Sequence, residues 1–389
     1  MQTIADKPRL TTRPETGAAR IFMPTWRDFT RRAFQCGLYE AQDVLAETDH
    51  AELVHVEASS NFRAKETLQR RLLYHDFTKR LVYKNPGLLP VRLTQNYDAF
   101  IAVCQSHPDF LYVNAIEGWR DRCKTSICWI DELWVARIPL YKHWLHALRR
   151  FDYVFTGSCG SVTALSEAIG KKVYWLPNAV DAIRFSPYPR GPERAIDVYS
   201  IGRRFAGVHG KLVQMADRGE IFYVYDTARG ADSDTMDARE HRTLFANMAK
   251  RSRYFMVGAG KLDDFAETRG QIEFGPRYYE GSAAGAVLLG QAPKQLPAFQ
   301  EMCGWPDSVI EVNPDGSDVA EVMANLDANP ERWQQISRRN TAEALRRHDW
   351  IYRWKEMFRV AGIPLSEGML EREKRLQELA AMADRIASS

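Results

Sequence analysis

Nothing in this sequence reads as a membrane span, a disulfide-stapled miniature or a strongly charged tail. No run approaches the ~20 uninterrupted apolar residues that a bilayer-crossing helix needs. The opening MQTIADKPRLTTRPETGAAR is polar throughout and does not read as a secretory leader. The six cysteines are thinly spread, and Cys123 and Cys128 have no companion pair at zinc spacing, so neither a disulfide framework nor a metal site is expected. Reduced thiols fit a cytoplasmic protein. Against 53 Lys and Arg stand 50 Asp and Glu, a net charge of +3 that gives no electrostatic case for a nucleic-acid partner. Charge recognition must therefore be local.

What is present is a globular composition, 45% hydrophobic and 26% charged, over 389 residues, too long for one ordinary core. Residues 1–18 read as a flexible tail. From there short apolar runs alternate with helical patterns: RIFMPTW (20–26), ELVHVEA (52–58), a long basic helix over 61–84, DAFIAV (98–103), KTSICWIDEL (124–133), YVFTGS (153–158) and KVYWLP (172–177). Such alternation predicts βαβ units and a parallel sheet covered on both faces. The stretch NAVDAIRFSPYPRGPER breaks the pattern with three prolines and a glycine and predicts a linker over 178–195. Alternation resumes with DVYSIGRR (197–204), FYVYDT (222–227), RYFMVGAG (253–260), EFG (273–275) and AVLLG (286–290). The expected organisation is α/β: a Rossmann-like domain over 19–177, a second over 196–345, and helices over 346–389 that cross back. Such sheets bind ligands in a cleft at the carboxyl ends of their strands.

Two stretches of the second domain carry the chemistry. In EFGPRYYEGSAAGAVLLG (273–290) a turn at Gly275 leads into a helix starting at Arg277, with Tyr278 and Glu280 in its first turns. Free amides there favour a phosphate, Arg277 adds a cationic fork, and Glu280 can accept two ribose hydroxyls. The structural alternative is a small-residue helix packed tightly on a sheet. In SIGRR (200–204) a strand ends in Gly202, Arg203 and Arg204, able to neutralise a diphosphate, with His209 and Lys211 on the next helix. Tyr225 ends a neighbouring strand and could touch a base or sugar.

The order WLPNAVDAIRFSP, DVYSIGRR, FYVYDT, RYFMVGAG, EFGPRYYEGSAAGAVLLG resembles the C-terminal half of GT-B fold glycosyltransferases, of the family-four or spore-coat-maturation type. That resemblance implies two facing Rossmann-like domains and transfer of a sugar from a nucleotide diphosphate-sugar donor to a hydroxyl acceptor. The donor is a co-substrate, with no resident cofactor and no metal. By the resemblance Gly202 and Arg203 contact the donor diphosphate, Glu280 holds the ribose, and Pro177, Asn178 and Asp181 form the interdomain segment. Three positions depart: Ile272 stands where the family has its first glutamate, leaving Glu273 displaced by one as the catalytic candidate; Val208 replaces a lysine, so that Lys211 or His209 would serve; and Asp131, beside Glu132 in WIDEL, replaces the family's histidine after a central strand. In WIDEL, Asp131 and Glu132 end a first-domain strand, where a general base must sit to reach an attacking hydroxyl. The acceptor is a glycan, lipid or small molecule. A catalytically inactive scaffold, or an epimerase or phosphorylase on the same architecture, are the alternatives.

Other signals point to less. Asp232, Ser233 and Asp234 form an Asp-x-Asp triplet in a polar loop and are read as surface charge. VGAGKLDD lacks the third glycine of a dinucleotide fingerprint. The basic 61–84 run could rest on anionic lipid, although such runs are more often solvated faces.

Overall fold

The computed structural model describes residues 19–227 and 235–385. The tail over 1–18 and the triplet at Asp232, Ser233 and Asp234 lie outside the described residues.

The apolar runs settle into two parallel sheets. The first domain contributes β1 (Ile21–Thr25), β2 (Glu52–His55), β3 (Val91–Arg92), β4 (Tyr97–Cys104), β5 (Ile116–Glu117), β6 (Cys123–Ile130), β7 (Tyr153–Thr156) and β8 (Val173–Trp175). Six of these form one sheet in the order β2-β1-β4-β6-β7-β8, while β3 and β5 pair separately. The second domain contributes β9 (Ile196–Ser200), β10 (Tyr223–Tyr225), β11 (Ser252–Val257), β12 (Val287–Gly290) and β13 (Ile310–Glu311), ordered β10-β9-β11-β12-β13. Central strands are apolar on both faces because helices cover both sides: β12 is buried throughout and β4 at all but one residue. Strands β3, β5 and β13 are too short to show in the hydrophobic pattern.

Two elements depart from expectation. The basic 61–84 segment is not one helix. An α-helix over Phe62–Leu72 ends where Leu73 turns into the core, His75 is extended, and a 3-10 helix follows over Asp76–Tyr83. EFG forms no strand, only an isolated bridge between Ala259 and Phe274. In the linker, one helical turn over Ala182–Phe185 is capped by Asp181, and no helix or strand follows from 186 to 195.

The helix over Cys36–Asp49 fixes how the sheets sit. It lies between the first sheet and the second-domain helix Ala238–Lys250, and the C-terminal helices Trp350–Ala361 and Glu367–Arg385 also close on it. Trp354 Nε1 donates to the Ala41 carbonyl at 3.0 Å, and Ser366 Oγ to that of Thr48 at 2.7 Å. One apolar cluster runs from Met23 and Ile101 through Val44 and Trp354 to Phe255 and Leu288. Both sheets thus share a core, and the cleft is set by packing rather than by the linker.

Trp354 is 1% exposed within that cluster. Trp354→Ala is expected to cost about 3–5 kcal/mol through lost burial and a residual cavity. A urea midpoint equal to the parent's would show that the returning helix adds nothing to the shared core.

Candidate active site

The carboxyl ends of the two sheets face each other. On the first-domain side, Asp131 follows β6 directly, and its amide continues the ladder to the Cys104 carbonyl at 2.9 Å. Its two carboxylate oxygens take hydrogen bonds from Asn178 Nδ2 at 2.6 Å and Gln105 Nε2 at 2.7 Å. Burial, with the Glu132 charge adding to it, pushes Asp131 up to about 6, although both amides work the other way. A Cβ on Gly157 would stand 2.6 Å from the Asp131 carbonyl, so only glycine lets β7 turn beside it. Glu132 points across the cleft, pairing with Lys261 and accepting from Trp134 Nε1 at 2.6 Å. Lys261 makes that reach from left-handed backbone, φ 49°, unusual for a residue with a Cβ.

A cavity of about 470 Å³ opens beside this carboxylate, with Asp28, Arg31, Arg63, Gln105 and Tyr112 among its lining. Gln105 belongs both to the cavity wall and to the hydrogen-bond shell of Asp131. It was not legible beforehand, since its only sequence signal is its place one residue past β4.

On the second-domain side, Gly202 follows β9 with φ +86° and donates its amide to Asp226 at 3.1 Å. A Cβ there would lie 3.9 Å from Arg277 Nε, which places the β9 turn against the Arg277 side chain. Arg277 in turn pairs with Glu280. Arg204 pairs with Asp226 at 3.0 Å and lies over the Tyr225 ring. Tyr223 also takes a hydrogen bond from this guanidinium, which ties Arg204 into the β9–β10 edge.

Several expected residues sit differently. Arg203 turns toward the loop after β11 and pairs with Asp263. Glu280 is 1% exposed, and its oxygens are engaged by Arg277 and by Arg242 Nη1, the latter at 2.5 Å. Burial disfavours its charge, but the two guanidinium groups outweigh that and hold its carboxyl below the usual range. Tyr278 is a correction: it is fully buried, donates to the Gln291 carbonyl at 2.6 Å and packs on Phe299, because the helix turns that face into the core. Gly275 has no atom within 4 Å of a built Cβ, so neither close approach nor unusual backbone demands glycine. Lys211 does not line the β9 mouth, and its charge acts on Glu220 instead; of the two polar candidates it is His209 that faces the mouth, beside Val208 and Leu212. Glu273 accepts from the amides of Cys159 and Gly160 at 2.9 and 2.8 Å, spending its carboxylate on the opposite domain. The small residues also serve packing, since a Cβ on Gly281 would stand 2.5 Å from Leu288. Among the described residues no group of three or more His, Cys, Asp or Glu is placed to hold a metal ion. The six cysteines are unpaired.

Arg242 is the residue the sequence did not flag. Almost fully buried, it forks onto Glu40 of the first domain at 2.7 and 2.9 Å and onto Glu280 of the second. Burial opposes its charge and the two carboxylates more than offset that.

With this geometry in view, residues 237–359 match the Glycosyl transferase-like family model. The structure is similar to an alpha-glucosyltransferase solved with UDP and a 13-mer DNA containing an HMU base, with TM-score 0.53 at 12% identity over 89% of this chain and 100% of that one. An alpha-glucosyltransferase solved with UDP gives TM-score 0.52 at 12% identity over 89% and 100%. No curated protein matches the sequence. Likeness at this identity concerns the fold, which is GT-B; the glycosyltransferase-like family match covers part of the second domain and the start of the returning helices. No described helix is long and apolar enough to cross a membrane.

Removing Arg242 strands Glu40 and half of Glu280 in the interior. Arg242→Met is expected to lose about 3–5 kcal/mol of stability, the scale for breaking one side of a buried ion pair. Chemical denaturation followed by tryptophan fluorescence measures this, and a loss below about 1 kcal/mol would contradict a coupling role for the pair.

Proposed function

We propose that a nucleoside diphosphate sugar binds at the mouth of the second sheet and that its sugar passes to an acceptor hydroxyl held by the first domain. The observation that carries this reading is the meeting of Gly202, Arg277 and Glu280 at one strand end, with Arg204 close by on the same turn. In this reading Glu280 acts through Arg277, aiming the guanidinium at the diphosphate, rather than by touching the ribose. Tyr225, 37% exposed, offers a face for the base. The UDP held by the alpha-glucosyltransferases of the same fold supports uridine as the first nucleotide to try.

The acceptor enters the 470 Å³ cavity, and Asp131 takes its proton. The acceptor oxygen then bonds to the anomeric carbon while the bond to the diphosphate breaks, and the nucleoside diphosphate leaves with the electron pair. A carboxylate with a pKa near 6 is ionised at neutral pH yet basic enough to share a proton. The acceptor is a glycan, lipid or small molecule, and near-neutral net charge supports one other than nucleic acid. Six unpaired cysteines support a reducing, cytoplasmic setting. A second reading, a GT-B-shaped binding protein without catalysis, is favoured by the full engagement of Glu273 and Glu280; donor hydrolysis or sugar transfer by purified protein would eliminate it.

Two outcomes are expected. In calorimetric titration with UDP, GDP, ADP and dTDP, one nucleotide binds, and Arg277→Ala weakens it roughly 10- to 100-fold while circular dichroism stays unchanged; equal binding to both proteins removes the donor site from this mouth. In a pH–rate profile, protonation of Asp131 lowers the rate as pH falls through about 6. Asp131→Asn then abolishes that limb, with kcat down roughly 10²- to 10⁴-fold. Gln105→Leu removes a hydrogen bond that favours the ionised form and moves the limb to higher pH. An Asn variant that keeps the parental profile would assign the proton to another acceptor, such as the departing diphosphate.

A further inference from the structure

The break in the 61–84 segment creates an outward surface that borders the proposed acceptor cavity. On the helix over Phe62–Leu72, Phe62, Glu66 and Gln69 face inward, leaving Lys65, Leu68 and Arg71 in solvent. The following turn and 3-10 helix push further apolar side chains outward: Phe77 is 85% exposed, Leu68 59% and Tyr74 53%. Seven Lys and Arg fall between 61 and 84, against Glu66 and Asp76. Both carboxylates are already engaged. Glu66 is buried and accepts from Tyr112 Oη at 2.7 Å, while Asp76 is held by Lys142 at 2.7 Å and His143 at 2.6 Å. Those contacts join the chain just after Tyr141 to the Asp76 turn.

Solvated charged faces do not need a phenylalanine standing clear of the protein, and exposed apolar groups among cations mark an interaction surface. The chemistry selects the partner. Cations alone would suit any polyanion, but Leu68 is aliphatic and gains nothing from stacking on bases. An anionic bilayer offers phosphate for the basic groups and an acyl boundary for the apolar ones. We infer that this face docks the protein peripherally on an anionic lipid surface, with Phe77 and Leu68 entering the interface and Lys79 and Arg80 among the headgroup contacts. Arg63 and Arg70 on the same helix also line the acceptor cavity, which docking would hold beside the bilayer. The inference does not depend on the donor assignment.

Flotation of the full chain with vesicles tests it. Binding is expected to vesicles of phosphatidylcholine and phosphatidylglycerol in equal parts, to weaken with salt, and to be absent with phosphatidylcholine alone. Lys79→Ala with Arg80→Ala should weaken it roughly 20- to 30-fold, at about fivefold per charge. Phe77→Ser should weaken it about tenfold. Both sets lie on the surface, so melting temperatures should match the parent's. Absence of binding to the mixed vesicles, or variants that bind them like the parent, overturns the inference. Binding to duplex DNA that Phe77→Ser leaves unchanged, without vesicle binding, also overturns it and makes the face a nucleic-acid surface.

Discussion

The arrangement of this molecule depends on one guanidinium removed from water. Arg242 lies between Glu40 on the first domain and Glu280 on the second, and Glu280 passes the linkage on to Arg277. A charge buried this deeply is tolerable only while both carboxylates stay in place, so the pair constrains geometry more than it adds stability. Glu40 also accepts from Trp350 Nε1 at 3.1 Å and the Asp181 amide at 2.8 Å, which brings the returning helix and the linker into the same node. The position of Arg277 against Gly202 is therefore an outcome of interdomain packing.

From that node the two sheet mouths acquire opposite characters. The second presents the guanidinium groups of Arg204 and Arg277, and the first presents a carboxylate whose pKa burial has raised. Transfer from a diphosphate leaving group to a hydroxyl requires that division: positive charge where negative charge develops, and a base where a proton is lost. Contacts across the cleft hold the mouths in register. Gln271 accepts from the Val135 amide at 2.9 Å, Arg137 donates to Glu267 at 2.6 Å, and Glu273 binds the 159–160 amides.

The sequence made the strands legible because parallel strands covered on both faces must be apolar along their length, as IAVC and VLLG are. Gly202 and Asp131 drew notice for a related reason, since each follows a strand at its carboxyl end, while Arg277 drew notice as the start of a helix. Partners set by tertiary packing were not. Glu40 and Arg242 each sit on a helix with no local mark of burial, and only folding reveals that 202 positions of chain separate two halves of one ion pair. Tyr278 misled because one helical step separates a cleft-facing arginine from a core-facing ring. Gly281 was ambiguous for good reason, because close helix–sheet packing and close ligand approach ask for the same residue.

The central claim is that the donor diphosphate rests between the Gly202 turn and Arg277, with Glu280 beneath as the support for that arginine. A crystal structure of the protein soaked with its preferred nucleoside diphosphate tests this most directly. The account predicts phosphate oxygens within hydrogen-bond reach of Arg277 and Arg204, with the Arg242–Glu280 pair intact underneath. Diphosphate density elsewhere, or a Glu280 that has left its arginines to hold the ribose, would contradict it.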